Sequence, residues 1–346
     1  MTIHLSLANL GWQPFYQQQL SLDEWETAIP ARVIEQHKSE IEVATEAGAQ
    51  TLSLTYSMPP LTVGDWVLLD AERFFLRALE RHSCFRRKAA GSKVSEQLIA
   101  ANVDTAFIVC SLNDDFNLNR IERYLSIVNN ANAEPVVVLS KMDLCPEPVN
   151  LSSMVQGLDS LLCVETVNCL SADSVSALLP WCQSGKTVVL LGSSGAGKSA
   201  LTNTLLGSNQ QLTGTIREND AKGRHTTTRR SLLTMPDGAM ILDTPGMREL
   251  QLADCEEGVA TTFSDVEDLA RNCRFGDCQH ENEPDCAVRK AIDSGELDER
   301  RFLNYCKLSR EQALNGASLA QRRASDRQLG RYYKRVQRAS QEAKRG

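Results

Sequence analysis

The stretch Val188-Val189-Leu190-Leu191-Gly192-Ser193-Ser194-Gly195-Ala196-Gly197-Lys198-Ser199-Ala200 decides how this chain is read. Four apolar residues predict a buried strand, the glycines a tight turn, and Ala200-Leu201-Thr202-Asn203-Thr204-Leu205-Leu206 a helix. In that setting Gly192 to Ala200 form a phosphate-binding loop. Gly192, Gly195 and Gly197 let backbone N–H groups turn toward a polyphosphate, and the helix N-terminus adds positive potential. Lys198 is placed to reach the terminal phosphates and Ser199 to offer its hydroxyl to Mg²⁺. The expected ligand is a nucleoside triphosphate.

A triphosphate site needs a second acid near the metal ion. Met240-Ile241-Leu242-Asp243-Thr244-Pro245-Gly246 supplies it, a strand running into Asp-x-x-Gly. Asp243 is expected at Mg²⁺, and Gly246 at the γ-phosphate, where its N–H senses whether that phosphate is present. Between the two motifs lies Gly223-Arg224-His225-Thr226-Thr227-Thr228-Arg229, a polar loop whose Thr227 or Thr228 closes over Mg²⁺. Order alone does not choose between the threonines. The base-reading signal lies upstream. Pro135-Val136-Val137-Val138-Leu139 predicts a strand leading into Ser140-Lys141-Met142-Asp143. The Asp143 carboxylate matches guanine N1–H and its exocyclic amine, and the Lys141 stem covers the base. A further strand, Leu161 to Val167, leads to Asn168-Cys169, where a backbone amide is expected at the base oxygen.

The motif order is thus base loop, phosphate loop, threonine loop, Asp-x-x-Gly, a circular permutation of the usual arrangement. A parallel sheet with helices on both faces tolerates this, because the same strand ends still meet at one edge. With Val63-Gly64-Asp65-Trp66-Val67, Ala101-Asn102-Val103-Asp104 and a cysteine cluster, residues 31–310 resemble the circularly permuted ribosome small-subunit biogenesis GTPases, the RsgA or YjeQ family. The resemblance implies GTP hydrolysis to GDP and phosphate stimulated by the small ribosomal subunit, an N-terminal OB-fold, and action late in subunit maturation. Ser140 and Asn168-Cys169 depart from the Asn and Ser-Ala usual in that family. Met247 follows Asp-x-x-Gly where many GTPases carry a water-positioning glutamine, so intrinsic hydrolysis is expected to be slow. His225 is the candidate for the water, beside Lys198 and Gly246 in the catalytic set. Two other readings compete: a P-loop ATPase, if Asp143 lies away from the base, and a zinc-dependent RNA-binding protein without useful turnover.

Cys273-x₄-Cys278-x-His280-x₅-Cys286 gathers four soft-to-borderline donors in one polar segment, a set suited to a closed, structural tetrahedral Zn²⁺ site. Most other cysteines, such as Cys110, Cys163 and Cys182, sit singly in apolar runs and are expected to be reduced and buried. No secretory signal or transmembrane run is seen, which suits a cytoplasmic, monomeric protein without membrane contact.

The chain has 346 residues and a net charge of −7, which excludes nonspecific coating of nucleic acid by the whole surface. Contact with rRNA is therefore assigned to local basic stretches. One is Arg81 to Lys93; in the other, Arg323, Arg327, Arg331 and Arg335 recur every four residues. The fold class is α/β: residues 1–30 a loosely ordered arm, 31–94 an OB-fold β-barrel, 95–262 the permuted GTPase domain, and 263–346 a helical zinc-binding domain with a basic tail.

Overall fold

The computed structural model describes residues 6–88, 96–207, 230–243 and 255–316. Two short helices, α1 (Pro14–Gln17) and α2 (Leu22–Thr27), lead into β1 (Ile29–Gln36), β2 (Glu40–Thr45), β3 (Gly48–Ser53), β4 (Trp66–Leu69) and β5 (Phe75–Ala78). One side of β1 pairs antiparallel with β2, which pairs with β3; the other side pairs over Ile29–Arg32 with β4, which pairs with β5. Gln50 of β3 donates to the Arg73 carbonyl just before β5 at 3.1 Å, drawing the two ends of the array together. This is the five-stranded, partly open barrel expected from the alternating strands.

Residues 6–28 differ from the loose arm expected for the N-terminus. Trp66, Val67, Leu68 and Leu69 are all fully buried, so β4 has no solvent face. Val67 and Leu69 enter the barrel core with Ala31, Val33 and Ile41, while Trp66 and Leu68 pack on the other side against Leu10 and Tyr16. Trp12 meets the Trp66 ring edge-on at 4.9 Å. The N-terminal segment is held because it supplies the second cover that β4 requires. Arg32, 1 % exposed, then fastens it: Nη1 donates to the Leu10 carbonyl (2.5 Å), and Nη2 to the Asn102 carbonyl (3.1 Å) and Thr187 Oγ1 (2.7 Å).

A hairpin of β6 (Cys84–Lys88) and β7 (Glu96–Ala101) follows, its strands paired across the boundary expected near residue 94. It docks the barrel onto the next domain. Gly64, at φ +93°, lies so close to this hairpin that an added Cβ would sit 2.0 Å from the Ala101 carbonyl oxygen. Asn102 Nδ2 donates to the Gly64 carbonyl at 2.9 Å. Two motifs far apart in sequence therefore form one joint.

The α/β domain contains β8 (Thr105–Ser111), α3 (Leu118–Asn130), β9 (Glu134–Ser140), α4 (Pro148–Gln156), β10 (Cys163–Val167), α5 (Ala172–Val175), β11 (Thr187–Leu191), α6 (Lys198–Leu205), β12 (Arg230–Thr234) and β13 (Met240–Asp243). The strand order is β10-β9-β8-β11-β13-β12, parallel except for β12, which runs antiparallel to β13 and continues the sheet into β1 of the barrel. β8, β9 and β11 are buried almost throughout, as strands covered on both faces must be. Cys110 and Cys182 are buried as expected. Cys163 is not: it lies exposed on edge strand β10.

Beyond lie α7 (Glu256–Thr262), α8 (Ser264–Arg271), α9 (Ala287–Ser294) and α10 (Glu299–Gly316), which share one core cluster with α3. The contact centres on Glu122 of α3, fully buried. It accepts from Arg300 (2.9 and 3.1 Å), Arg301 (2.9 Å) and Asn304 (2.6 Å) of α10. Arg301 also grips Asp265 through two bonds and lies over the Phe263 ring at 4.8 Å. Removing the acid takes away the fully buried partner that both arginines share and leaves them only the more exposed Asp298 and Asp265. Glu122→Ala is expected to cost about 3–5 kcal/mol, read as a lowered urea midpoint; an unchanged midpoint would contradict the role given to this cluster.

Candidate nucleotide site and metal centre

Because β8, β9, β10, β11 and β13 run parallel, their C-terminal ends leave the sheet on one edge. The register aligns Ser140 with Ser111 on one side and Val167 on the other, and Leu191 with Ile108. Base loop, Asn168-Cys169 turn, phosphate loop and Asp243 thus emerge side by side although the chain visits them in permuted order. The Asp243 side chain falls outside the described atoms. So do His225, Thr227, Thr228, Gly246 and Met247, together with the basic ridge Arg323–Arg335, all of which lie outside the described residues.

The phosphate loop takes the conformation its glycines predict. Gly192, Gly195 and Gly197 have φ of +142°, +79° and +98°. A Cβ at Gly192 would lie 2.2 Å from the Val109 carbonyl oxygen of β8, so the strand leaves no room for a side chain there. Gly197 caps α6, and Lys198 opens that helix with Nζ folded back onto the Gly192 (2.6 Å) and Ser193 (2.5 Å) carbonyls. The loop and the start of α6 form a rim whose Lys198 ammonium rests on the loop's own carbonyls. Ser194 and Gly195 are exposed, Ala196 is buried, and Ser199 and Ala200 are half-buried in the first turn of α6.

The base loop touches this rim. Ser140, fully buried at the end of β9, donates its hydroxyl to the Ala196 carbonyl at 2.6 Å, so the serine reaches the phosphate loop directly. Around Gly197, the position of a Cβ lies 3.4 Å from Cys169 Sγ and 3.5 Å from Ser140 Oγ. Lys141 turns the chain through a left-handed conformation (φ +61°), after which Met142 and Asp143 are exposed in a single 3₁₀ turn. Burial, with the Asp143 charge adding to it, pushes the Cys169 thiol up to about 11, so the acid lies within electrostatic reach of that sulfur. Asn168 is used locally. Its Oδ1 accepts from the Leu170 amide (2.9 Å), and its own N–H donates to Ser174 Oγ (2.9 Å), fixing the turn that follows β10.

Asp115 was not singled out in the sequence. Its Oδ2 accepts the Ser193 hydroxyl of the phosphate loop at 2.7 Å. Nothing local marks it, since it is one acid in the polar turn after β8.

At the other end of the described chain, the ligand atoms of Cys273, Cys278, His280 and Cys286 all lie within 4.8 Å of one another. His280 Nδ1 is 3.5 Å from Cys273 Sγ and 3.4 Å from Cys286 Sγ, and those two sulfurs are 3.9 Å apart. A tetrahedral ion with metal–sulfur bonds of about 2.3 Å and metal–nitrogen bonds of about 2.0–2.1 Å has edges near 3.5 and 3.8 Å. The residues therefore fit such an ion. The surrounding shell is in place as well. His280 sits at φ +60°, its carbonyl accepts Arg289 Nε at 2.8 Å, and its ring packs edge-on against Phe302; Cys286 Sγ accepts the Arg289 amide and caps α9.

Residues 78–253 match the family model described as RsgA GTPase. The small ribosomal subunit biogenesis GTPase RsgA 2 of Vibrio parahaemolyticus serotype O3:K6 is 60 % identical over 330 residues, covering 95 % of this chain and 92 % of that one. The chain belongs to the RsgA GTPase family. Two solved structures share the fold: YjeQ from Thermotoga maritima, with a TM-score of 0.61 and 24 % identity over 81 % of this chain and 97 % of that one, and YloQ, a circularly permuted GTPase, at 0.57 and 23 % over 82 % and 94 %. The permuted order read from the motifs is thus the family's own arrangement. The matched residues span the hairpin and the α/β domain, with the barrel before them and the Cys/His cluster after them. No helix among the described residues is long and apolar enough to cross a membrane.

Proposed function

We propose that this chain is a GTP-hydrolysing enzyme that binds the small ribosomal subunit and acts late in its maturation. The observation that carries the nucleotide part is the contact of two loops: Ser140 bonds Ala196, and Ser140 and Cys169 both pack at Gly197. A base held by Asp143 and Lys141 and a polyphosphate held by Gly192–Ser199 then belong to one ligand. Asp143 accepts from guanine, Lys198 leaves its two carbonyls for the β- and γ-phosphates, and Ser199 with Asp243 holds Mg²⁺, joined by Thr227 or Thr228. Gly246 reads the γ-phosphate and His225 orients the attacking water, in place of the glutamine that Met247 is not. Zinc is the proposed occupant of the cysteine–histidine cluster, where a closed set of four protein ligands makes it structural. The barrel and the basic tail are the proposed RNA-facing parts, and GTP, by ordering Thr244–Met247, favours subunit binding.

The test is GTP turnover measured with and without purified small ribosomal subunits. We expect slow intrinsic hydrolysis, accelerated by subunits, with His225→Ala losing most of the acceleration while still binding GTP. Equal turnover in the presence and absence of subunits would contradict the proposed role.

A further inference from the structure

Resting on the reading that Gly192–Ser199 holds GTP, a charge pair beside that loop acquires a purpose. Asp115 Oδ2 accepts the Ser193 hydroxyl at 2.7 Å and pairs with Arg120 Nη1 at 2.7 Å. Arg120 Nη1 also reaches the Asp115 carbonyl at 3.3 Å. The arginine lies in the first turn of α3, where Asn117 Oδ1 caps the helix by accepting the Arg120 amide at 3.0 Å. A carboxylate bonded to the second residue of a polyphosphate loop has the wrong sign for its place. Unopposed, it repels the incoming ligand. The partnership with Arg120 first, and then with Ser193, holds the Asp115 carboxyl below the usual carboxylate range, with the charge of Lys141 adding a smaller pull. Asp115 is therefore ionised at neutral pH and bonded to the phosphate loop. The side chains of the pair are 34 % and 40 % exposed, so the ion pair adds little to folding stability.

We infer that Asp115 and Arg120 are a positioning pair for GTP: Asp115 fixes the phosphate loop through Ser193, and Arg120 cancels the carboxylate's charge toward the polyphosphate. The pair thereby tilts relative affinity toward the triphosphate. Because the ligand's charge grows from GDP to GTP, an unmasked Asp115 penalises GTP more. The Ser193 bond, in contrast, serves both nucleotides alike.

The experiment is equilibrium titration of the full chain with fluorescent GTP and GDP analogues at low and physiological salt. Arg120→Ala is expected to weaken GTP binding about five-fold at low salt, the scale of one partly exposed charge interaction. GDP should weaken less, and the difference should shrink as salt rises. Arg120→Lys should stay near the wild type. Arg120→Ala combined with Asp115→Asn should recover GTP affinity, a rescue that a merely structural arginine would not give. Ser193→Ala should weaken both nucleotides by the same factor. Wild-type affinities in Arg120→Ala, or a double variant no better than Arg120→Ala, would overturn the inference. A wild-type chain that binds neither analogue would overturn the phosphate-site reading itself and this inference with it.

Discussion

Stripping the metal from the Cys273–Cys286 cluster should melt the segment around it, with amide protection lost from Cys273 through α9 while GTP binding persists and α8, tied to α10 by Arg301–Asp265, keeps its protection. The reason is how little else holds that segment. Between Cys273 and Cys286 nearly every residue is half-buried or exposed, including Phe275 at 41 %. The loop passes through left-handed conformations at His280 and Asp285, neither of them glycine. No apolar core of its own offsets these costs. In zinc-finger peptides the metal contributes on the order of 10 kcal/mol at neutral pH, and binding energy of that size is folding energy. It exceeds what burial against the shared core supplies to α9, about 1.5–3 kcal/mol for Val288 and less for Ala291. The ligands bind as thiolates and neutral imidazole, so acidification should release the ion and reproduce the effect of a chelator. Hydrogen exchange before and after chelation, with metal content measured in parallel, checks this. Unchanged protection after demonstrated metal loss would refute a structural role. The Glu122 cluster makes the expected boundary sharp, because α10 has its own buried anchor on α3 and should remain docked longer than α9.

Much of the fold, and the strand, turn and helix that carry the candidate phosphate loop, is legible in the sequence. Strand, glycine turn and Lys-Ser form one local signal, since the chemistry of the loop is written in consecutive residues. The Cys/His spacing is equally local. The N-terminal segment departs from the loose arm its sequence predicts for the opposite reason. Its own composition is polar and broken by Pro14, and the sign that it must pack lies in the unalternating Trp66-Val67-Leu68-Leu69 run, a strand with two faces to cover. Cys163 resembles a core residue in a hydrophobic run, but it opens β10, the last strand of the sheet, whose start meets solvent while Val167 at its far end is buried. Asp115, Arg120 and Glu122 carry no pattern at all. They matter because tertiary packing brings Ser193 and α10 to them from distant parts of the chain. Asn168-Cys169 is expected to offer a backbone amide to the base, and the Asn168 side chain on the Leu170 amide, with its N–H on Ser174 Oγ, fixes the turn that would present it. Ser140 gave the reverse surprise. A shorter side chain than asparagine still reaches the phosphate loop, because Ala196 lies within one hydroxyl bond of the end of β9.

The claim on which the rest stands is that the base loop and the phosphate loop, inverted in sequence, grip one guanine nucleotide. Asp143→Asn tests it most directly. Guanine presents two donors to the carboxylate, whereas xanthine presents an acceptor where guanine has its amine, so an amide at position 143 pairs with xanthine and leaves guanine mismatched. Sites that select through such hydrogen bonds discriminate by about 10⁴-fold or more. Competitive binding of GTP and xanthosine triphosphate to the wild type and to Asp143→Asn should therefore show a reversal of preference, with phosphate-loop contacts intact and xanthosine triphosphate hydrolysed by the variant. An Asp143→Asn protein that keeps wild-type affinity for GTP and gains none for xanthosine triphosphate would place the base elsewhere and contradict the account.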